Sequence, residues 1–159
     1  MVEIAELERK KAELYRALIP LVPRDFRDDL KLLALHSERS AELLRKARIP
    51  ADESEEIREI LTALEFLEGA LEDPASSVED YYRYAIDAER ASAKFYRGLS
   101  RKAGKERWKR VFNWLAEISD EHARILERHL EMWRFMREQT EDEEIPEDLL
   151  EQWFEDIDL

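Results

Sequence analysis

Apolar side chains recur along this chain at steps of three and four residues, the period of helices that bury one face. Ile4, Leu7, Leu14, Tyr15 and Leu18 share one side, and Phe26, Leu30, Leu33, Ala41 and Leu44 another. Tyr82, Ala85, Ile86, Ala93 and Tyr96 make a third face, and Trp108, Val111, Leu115, Leu126 and Trp133 a fourth. Only three glycines and five prolines interrupt the pattern. It predicts helices at 3–18, 24–47, 53–72, 78–101 and 105–138, with a short one at 147–157. Pro20 and Pro23 separate the first two helices, Pro50 precedes the third, Pro74 ends it and Gly104 marks the last long turn. Ser76 with Glu79 reads as a capping box for the fourth helix. No segment alternates in the way a strand requires.

The chain repeats itself. ERKKAELYRAL (8–18) and ERASAKFYRGL (89–99) share Glu, Arg, Ala, Tyr, Arg and Leu at a constant offset of 81. LALHSERSAELL (33–44) and LAEISDEHARIL (115–126) keep Leu, Ala, Ser, Ala and Leu at an offset of 82. Two blocks in the same order at nearly the same offset indicate a duplicated helical hairpin. The domain reading follows: a bundle over 1–138, made of hairpins 3–47 and 78–138 with a crossover helix at 53–72, then a tail over 139–159.

Composition narrows the chemistry. A chain of 159 residues suits one domain with one core. No apolar run approaches bilayer length, and the charged start MVEIAELERK lacks the apolar stretch of a signal peptide. The expectation is a cytoplasmic protein with no membrane partner. Cysteine is absent, which removes disulfides, thiolate metal sites and iron–sulfur clusters, so any metal needs carboxylate or imidazole ligands. Of the net charge of −13, residues 138–159 carry eleven acidic groups and no basic one. The remainder is mixed in sign and has no basic stripe for nucleic acid. Abundant charge with scarce glycine points to a heat-adapted source.

Two hairpins joined by a connection that itself holds a helix fit a bundle with one long crossover, the ferritin-like class. A di-metal site in that class takes one inward Glu from each of two helices and a Glu-x-x-His from each of the other two. Here Glu89 lies mid-face on the fourth helix, and Glu8 flanks the first face with Lys11 near its centre. Ser37 and Ser40 sit within the second face, and Ser119 and His122 at the centre of the last. AIDAERASAKFY (85–96) resembles the helix of the rubrerythrin branch that carries a ligand Glu seven residues before a Tyr. LAEISDEHA (115–123) is similar to that family's Leu-Ala-x-x-Glu-x-x-His-Ala segment. The resemblance covers about residues 3–138 and implies ligand positions at Glu8, Ser37, Ser40, Glu89, Ser119 and His122.

Only Glu8, Glu89 and His122 keep ligand chemistry. The glutamates that bridge the metals in the family pattern are Ser37 and Ser119 here, so the resemblance implies a di-iron centre that is lost or reduced. The rubredoxin-like electron-input module of full rubrerythrins needs cysteines that this chain lacks. Two readings of the trio stay open. One is a metal-free cluster, with the carboxylates held by Tyr15, Tyr96, Ser37, Ser119 or an ion pair with Lys11. The other is a site for one iron or zinc ion serving peroxide or oxygen reduction. His36 and His129 read as structural, and Tyr15 and Tyr96 as packing residues. In the tail, Leu149, Leu150, Trp153, Phe154 and Ile157 share one side of the helix begun at Pro146, which docks on its own bundle, a neighbouring subunit or another protein. A homodimer is expected.

Overall fold

A computed structural model describes residues 2–47, 50–51, 54–143 and 151. Five α-helices account for most of them: α1 (Ile4–Leu18), α2 (Arg24–Ala47), α3 (Glu55–Glu72), α4 (Val78–Lys102) and α5 (Glu106–Glu143). The helix expected at 147–157 lies, apart from Glu151, outside the described residues. α5 runs five residues past its expected end at 138, to Glu143. Val2–Glu3 pairs antiparallel with Pro50–Ala51, a contact two residues long that no alternation of sequence could announce. It ties the start of the chain to the connection after α2.

Local chemistry sets the helix ends. A 3₁₀ turn over Ile19–Leu21, with Pro20 inside it, breaks α1 from α2. Ser54 caps α3 by accepting from the Ile57 amide at 3.2 Å. The capping box of α4 is built on Ser77, one residue later than expected: Asp80 Oδ2 accepts from the Ser77 amide at 3.0 Å, and Ser77 Oγ from the Asp80 amide at 3.3 Å. Glu79, expected in that role, instead accepts from Arg134 Nε of α5 at 2.7 Å. The shift is physical: Asp73 and the Asp73–Ser76 turn use up the preceding residues, with Asp73 Oδ1 accepting from Ala75 N at 2.9 Å.

The helices assemble as two hairpins, α1 with α2 and α4 with α5, while the crossover helix α3 lies against α4 and α1. This is an all-α four-helix bundle with a helical crossover, the ferritin-like arrangement. Leu18, Leu30, Leu33, Leu126 and Tyr82 are fully buried in one continuous core. Each such leucine contributes about 1.5–3 kcal/mol relative to exposure. Arg90–Glu127 and Arg97–Asp120 pairs clasp α4 to α5, Arg16–Glu38 clasps α1 to α2, and Lys10 meets Glu68 of α3 at 2.6 Å. Among the described residues no helix is long and apolar enough to cross a membrane.

Candidate functional site

The repeat becomes a pair of crossed hydrogen bonds at the centre of the bundle. Tyr15 of α1 donates to Glu89 Oε1 of α4 at 3.0 Å, and Tyr96 of α4 donates to Glu8 Oε1 of α1 at 2.7 Å. Tyr15 and Tyr96, like Glu8 and Glu89, are 81 residues apart, so each hairpin holds the other's carboxylate in the same way. Burial raises both phenols well above their ordinary pKa, and the nearby carboxylates raise them further, so both stay protonated as donors.

Between the two carboxylates sits an ammonium. Lys11 Nζ lies 2.7 Å from Glu8 Oε1 and 3.0 Å from Glu89 Oε1. Lys11 is 2% exposed and Glu89 0%, so this is a desolvated triad. Its repeat counterpart on α4 is Ser92, whose hydroxyl turns back to the Ala88 carbonyl at 2.8 Å, so only one half of the bundle supplies a cation. Burial pulls the Lys11 pKa down, but Glu8 and Glu89 outweigh it and leave the net shift upward. Burial likewise pushes Glu89 up, while Lys11 and then His122 draw it down, to about 2. Ammonium and carboxylate are therefore both charged across the physiological range.

The cluster continues outward through imidazoles. His122 Nδ1 of α5 lies 3.2 Å from Glu89 Oε2, and His122 Nε2 lies 3.0 Å from His36 Nδ1 of α2. The two rings stack nearly parallel, with centroids 5.2 Å apart. Half-buried His36 is held below its ordinary pKa by partial burial, by His122 and by Arg39, and carries the chain toward the surface. His36 thus has a direct partner in His122 that its helical spacing did not disclose.

A second polar layer runs one heptad away on the same three helices. Tyr82 of α4 contacts His129 Nδ1 of α5 at 2.9 Å, and His129 Nε2 contacts Asp29 Oδ2 of α2 at 2.8 Å. With Asp29 accepting from Nε2–H, His129 Nδ1 is free to accept the Tyr82 proton. Phe26 stacks on His129 at 4.4 Å. Desolvation lowers the His129 pKa, with Asp29 opposing, so the neutral ring is favoured. His129 belongs to this packing network, in keeping with its structural reading.

The donor set does not fit an iron pair. Ser37 and Ser119, at the positions the resemblance would give to bridging glutamates, are both buried, and Ser37 Oγ has no hydrogen-bond partner. The space between Glu8 and Glu89 is taken by Lys11. Among the described residues no group of three or more His, Asp or Glu is arranged to hold a metal ion. Glu8, Glu89 and His122 do converge on one interior, but Lys11 bridges the two carboxylates and His122 reaches only Glu89. A surface groove of about 600 Å³ between α3 and α4, where Phe66 stacks on Tyr84, shares no residue with this cluster.

The rubrerythrin family model matches residues 80–156, which take in nearly all of α4, the whole of α5 and the residues that follow. No curated protein and no solved structure shows significant similarity. The match falls on the half of the chain that holds Glu89, Tyr96 and His122, and the duplicated hairpin carries the same pattern to α1 and α2. Over residues 80–156 the chain is similar to the rubrerythrin family, and the match supports a rubrerythrin-like, ferritin-like assignment.

Proposed function

We propose that this is a rubrerythrin-like protein in which an ammonium-centred charge cluster has taken the place of the di-iron centre, and that it works as a binding or scaffold protein. The observation that carries the reading is Lys11 Nζ at 2.7 and 3.0 Å from the two carboxylates. A cation entering there must displace an ammonium whose pKa is shifted upward. With Ser37 and Ser119 at the bridging positions, no carboxylate is left to span two metals. The cluster supplies the positive charge that buried carboxylates require, as a metal would, without redox chemistry.

The competing reading is a peroxide or oxygen reductase that holds one iron ion through Glu8, Glu89 and His122. Its support is the 3.2 Å approach of His122 to Glu89. Elemental analysis after reconstitution with Fe²⁺ or Zn²⁺ and desalting separates the two, together with melting curves with and without chelator. The scaffold reading expects less than about a tenth of a metal ion per chain, since a genuine structural site fills. It also expects a melting temperature indifferent to chelation. Stoichiometric iron, with a chelator-induced fall in melting temperature that metal reverses, would reject it, because a ligand bound only to the native state must stabilise that state.

A further inference from the structure

Charge that is mixed along the chain segregates at one end of the bundle. Six of the ten residues 101–110, which close α4 and open α5, are basic, and Glu106 alone is acidic. Arg45 and Lys46 lie in the last turn of α2, beside this turn. Among the described residues none of these cations makes an ion pair or a side-chain hydrogen bond. Glu55 and Glu59 of α3 line the separate groove against α4. Between the end of α2 and the α4–α5 turn lies a notch of about 300 Å³, lined by Ala47, Ala103, Gly104, Lys105, Trp108 and Phe112. Trp108 stacks on Phe112 with centroids 6.0 Å apart and is itself only half-buried. The patch thus joins an aromatic wall to a cationic rim.

The same chain carries the complement of that patch. Residues 144–159 hold seven acidic side chains and no basic one, and Leu149, Leu150, Trp153, Phe154 and Ile157 share one side of the helix expected at 147–157. Glu151, the one described residue of that stretch, is helical and exposed, as its place on the other side of the helix requires. An acidic helix with an aromatic side suits a cationic notch with an aromatic wall, since apolar burial at the centre and opposite charge at the rim make an interface. Reach separates a chain from its own notch. At 1.5 Å per residue along α5, Glu143 stands about 50 Å from Trp108. Residues 144–146 fully extended, followed by a helix from 147, carry Phe154 only about 25 Å.

We propose that the notch between the end of α2 and the α4–α5 turn is a docking site for the C-terminal helix, residues 147–157, of a second copy of this chain. Trp153 and Phe154 enter beside Trp108 and Phe112, and the acidic side chains meet a rim that includes Arg45, Arg101 and Lys105. The site lies at one end of α5 and the docking helix is tethered to the other. Each copy therefore offers one of each, and the contact is heterologous, repeating from copy to copy. It shares no residue with the Lys11 cluster, so it does not depend on what that interior holds.

The test uses full-length chains and reads a cross-link between them. The chain has no cysteine, and a Cβ added at Gly104 meets nothing within 4 Å, so Gly104→Cys sets a single thiol at the notch. Mixed under mild oxidation with a tagged chain that carries Phe154→Cys, it is expected to give a disulfide between the two chains. The rate should fall about tenfold or more when Arg101→Glu and Lys105→Glu are added to the first chain. It should also fall between about 0.1 M and about 1 M salt, where the Debye length shrinks from about 10 to about 3 Å. Glu59→Cys, exposed on α3, should react with Phe154→Cys much more slowly than Gly104→Cys does. Equal rates at these two positions, or a rate that ignores both charge reversal and salt, overturn the proposal. So does an intrachain disulfide in one chain bearing both Gly104→Cys and Phe154→Cys, which would put the tail on its own bundle. A short DNA duplex that binds the wild-type chain while the mixture stays uncross-linked gives the cationic patch to nucleic acid and overturns it as well.

Discussion

Lys11 Nζ sits 3.0 Å from Glu89 Oε1, bridging α1 to α4 at the centre of the bundle. Its other contact, Glu8 at 2.7 Å, lies on its own helix one turn earlier. One ammonium thus balances two carboxylates from the two halves of a duplicated fold. Replacing Lys11 by Met keeps the volume and removes the charge. An unpaired buried carboxylate then costs about 3–5 kcal/mol at neutral pH. The cost should shrink in acid, where one of the two carboxylates takes up a proton instead. Urea denaturation of Lys11→Met and wild type at pH 7 and pH 4.5 checks both points. Equal losses at the two pH values would show that packing, not charge, is at stake.

Glu89 makes the acid limb of stability predictable. Its pKa in the fold is about 2, below its ordinary value of 4.5, despite burial. A depressed carboxylate contributes stability that is full above the unfolded value and is lost as pH falls through the folded one. The window therefore runs from about pH 4.5 down to about pH 2, and the contribution is roughly 3 kcal/mol by linkage. Glu89→Gln should be less stable than wild type at pH 7, and the two should converge across this window. Lys11, shifted upward, acts at the other end: its contribution is present below pH 10.5 and is lost only as pH rises through the higher folded value. Denaturant midpoints between pH 2 and pH 11 would show both limbs.

The second layer offers a simpler deletion. Tyr82 is fully buried and hydrogen-bonded to His129 Nδ1, whose other nitrogen is held by Asp29. Tyr82→Phe leaves the ring packing intact and strands an imidazole nitrogen, at a cost of about 1–3 kcal/mol. Asp29→Asn should cost less, because that carboxylate is half exposed and water can take its place. Since burial depresses the His129 pKa, the network contributes most above pH 6.5 and weakens as pH falls and the ring is forced to protonate. Thermal melts of the two variants at pH 8 and pH 5.5 give the ranking.

Much of this was legible in the chain. Apolar periodicity marks each of the five described helices to within a few residues, because their breaks carry proline, glycine or a capping residue. Glu8, Glu89 and His122 each occupy the inner side of a helix, and so does Lys11, because one helix face is a local property. Adjacency between helices is not local. Asp29 and His36, Tyr82 and Glu89, and His122 and His129 are all seven apart, a spacing visible in sequence. Nothing in it says that α2 and α5 lie side by side, so the joining of His36 to His122 emerges only in three dimensions. The cap of α4 failed for another reason: Ser76–Glu79 and Ser77–Asp80 satisfy the same motif, and only the Asp73 turn decides between them. Ser77→Ala should accordingly cost about 1 kcal/mol, and Ser76→Ala less than about half of that, by thermal melting.

Removing the ammonium also tests whether Lys11 stands where a metal ion would. In Lys11→Ala the long side chain is gone, and Glu8 and Glu89 are left facing each other with His122 beside Glu89. Two carboxylates and an imidazole around an open space are ligands suited to Zn²⁺. A cation there relieves the repulsion between the carboxylates, so zinc should bind the native variant in preference to its unfolded chain. At a hundredfold excess of free zinc over the dissociation constant, the native state gains about 2.7 kcal/mol. The melting temperature of Lys11→Ala should therefore rise with zinc and fall back with chelator, while that of wild type stays put. Calorimetric titration gives the stoichiometry, expected at one ion per chain, and adding Glu89→Gln to the variant should abolish the response. If wild type and variant respond alike to zinc, the metal binds elsewhere and Lys11 does not occupy a cation's place.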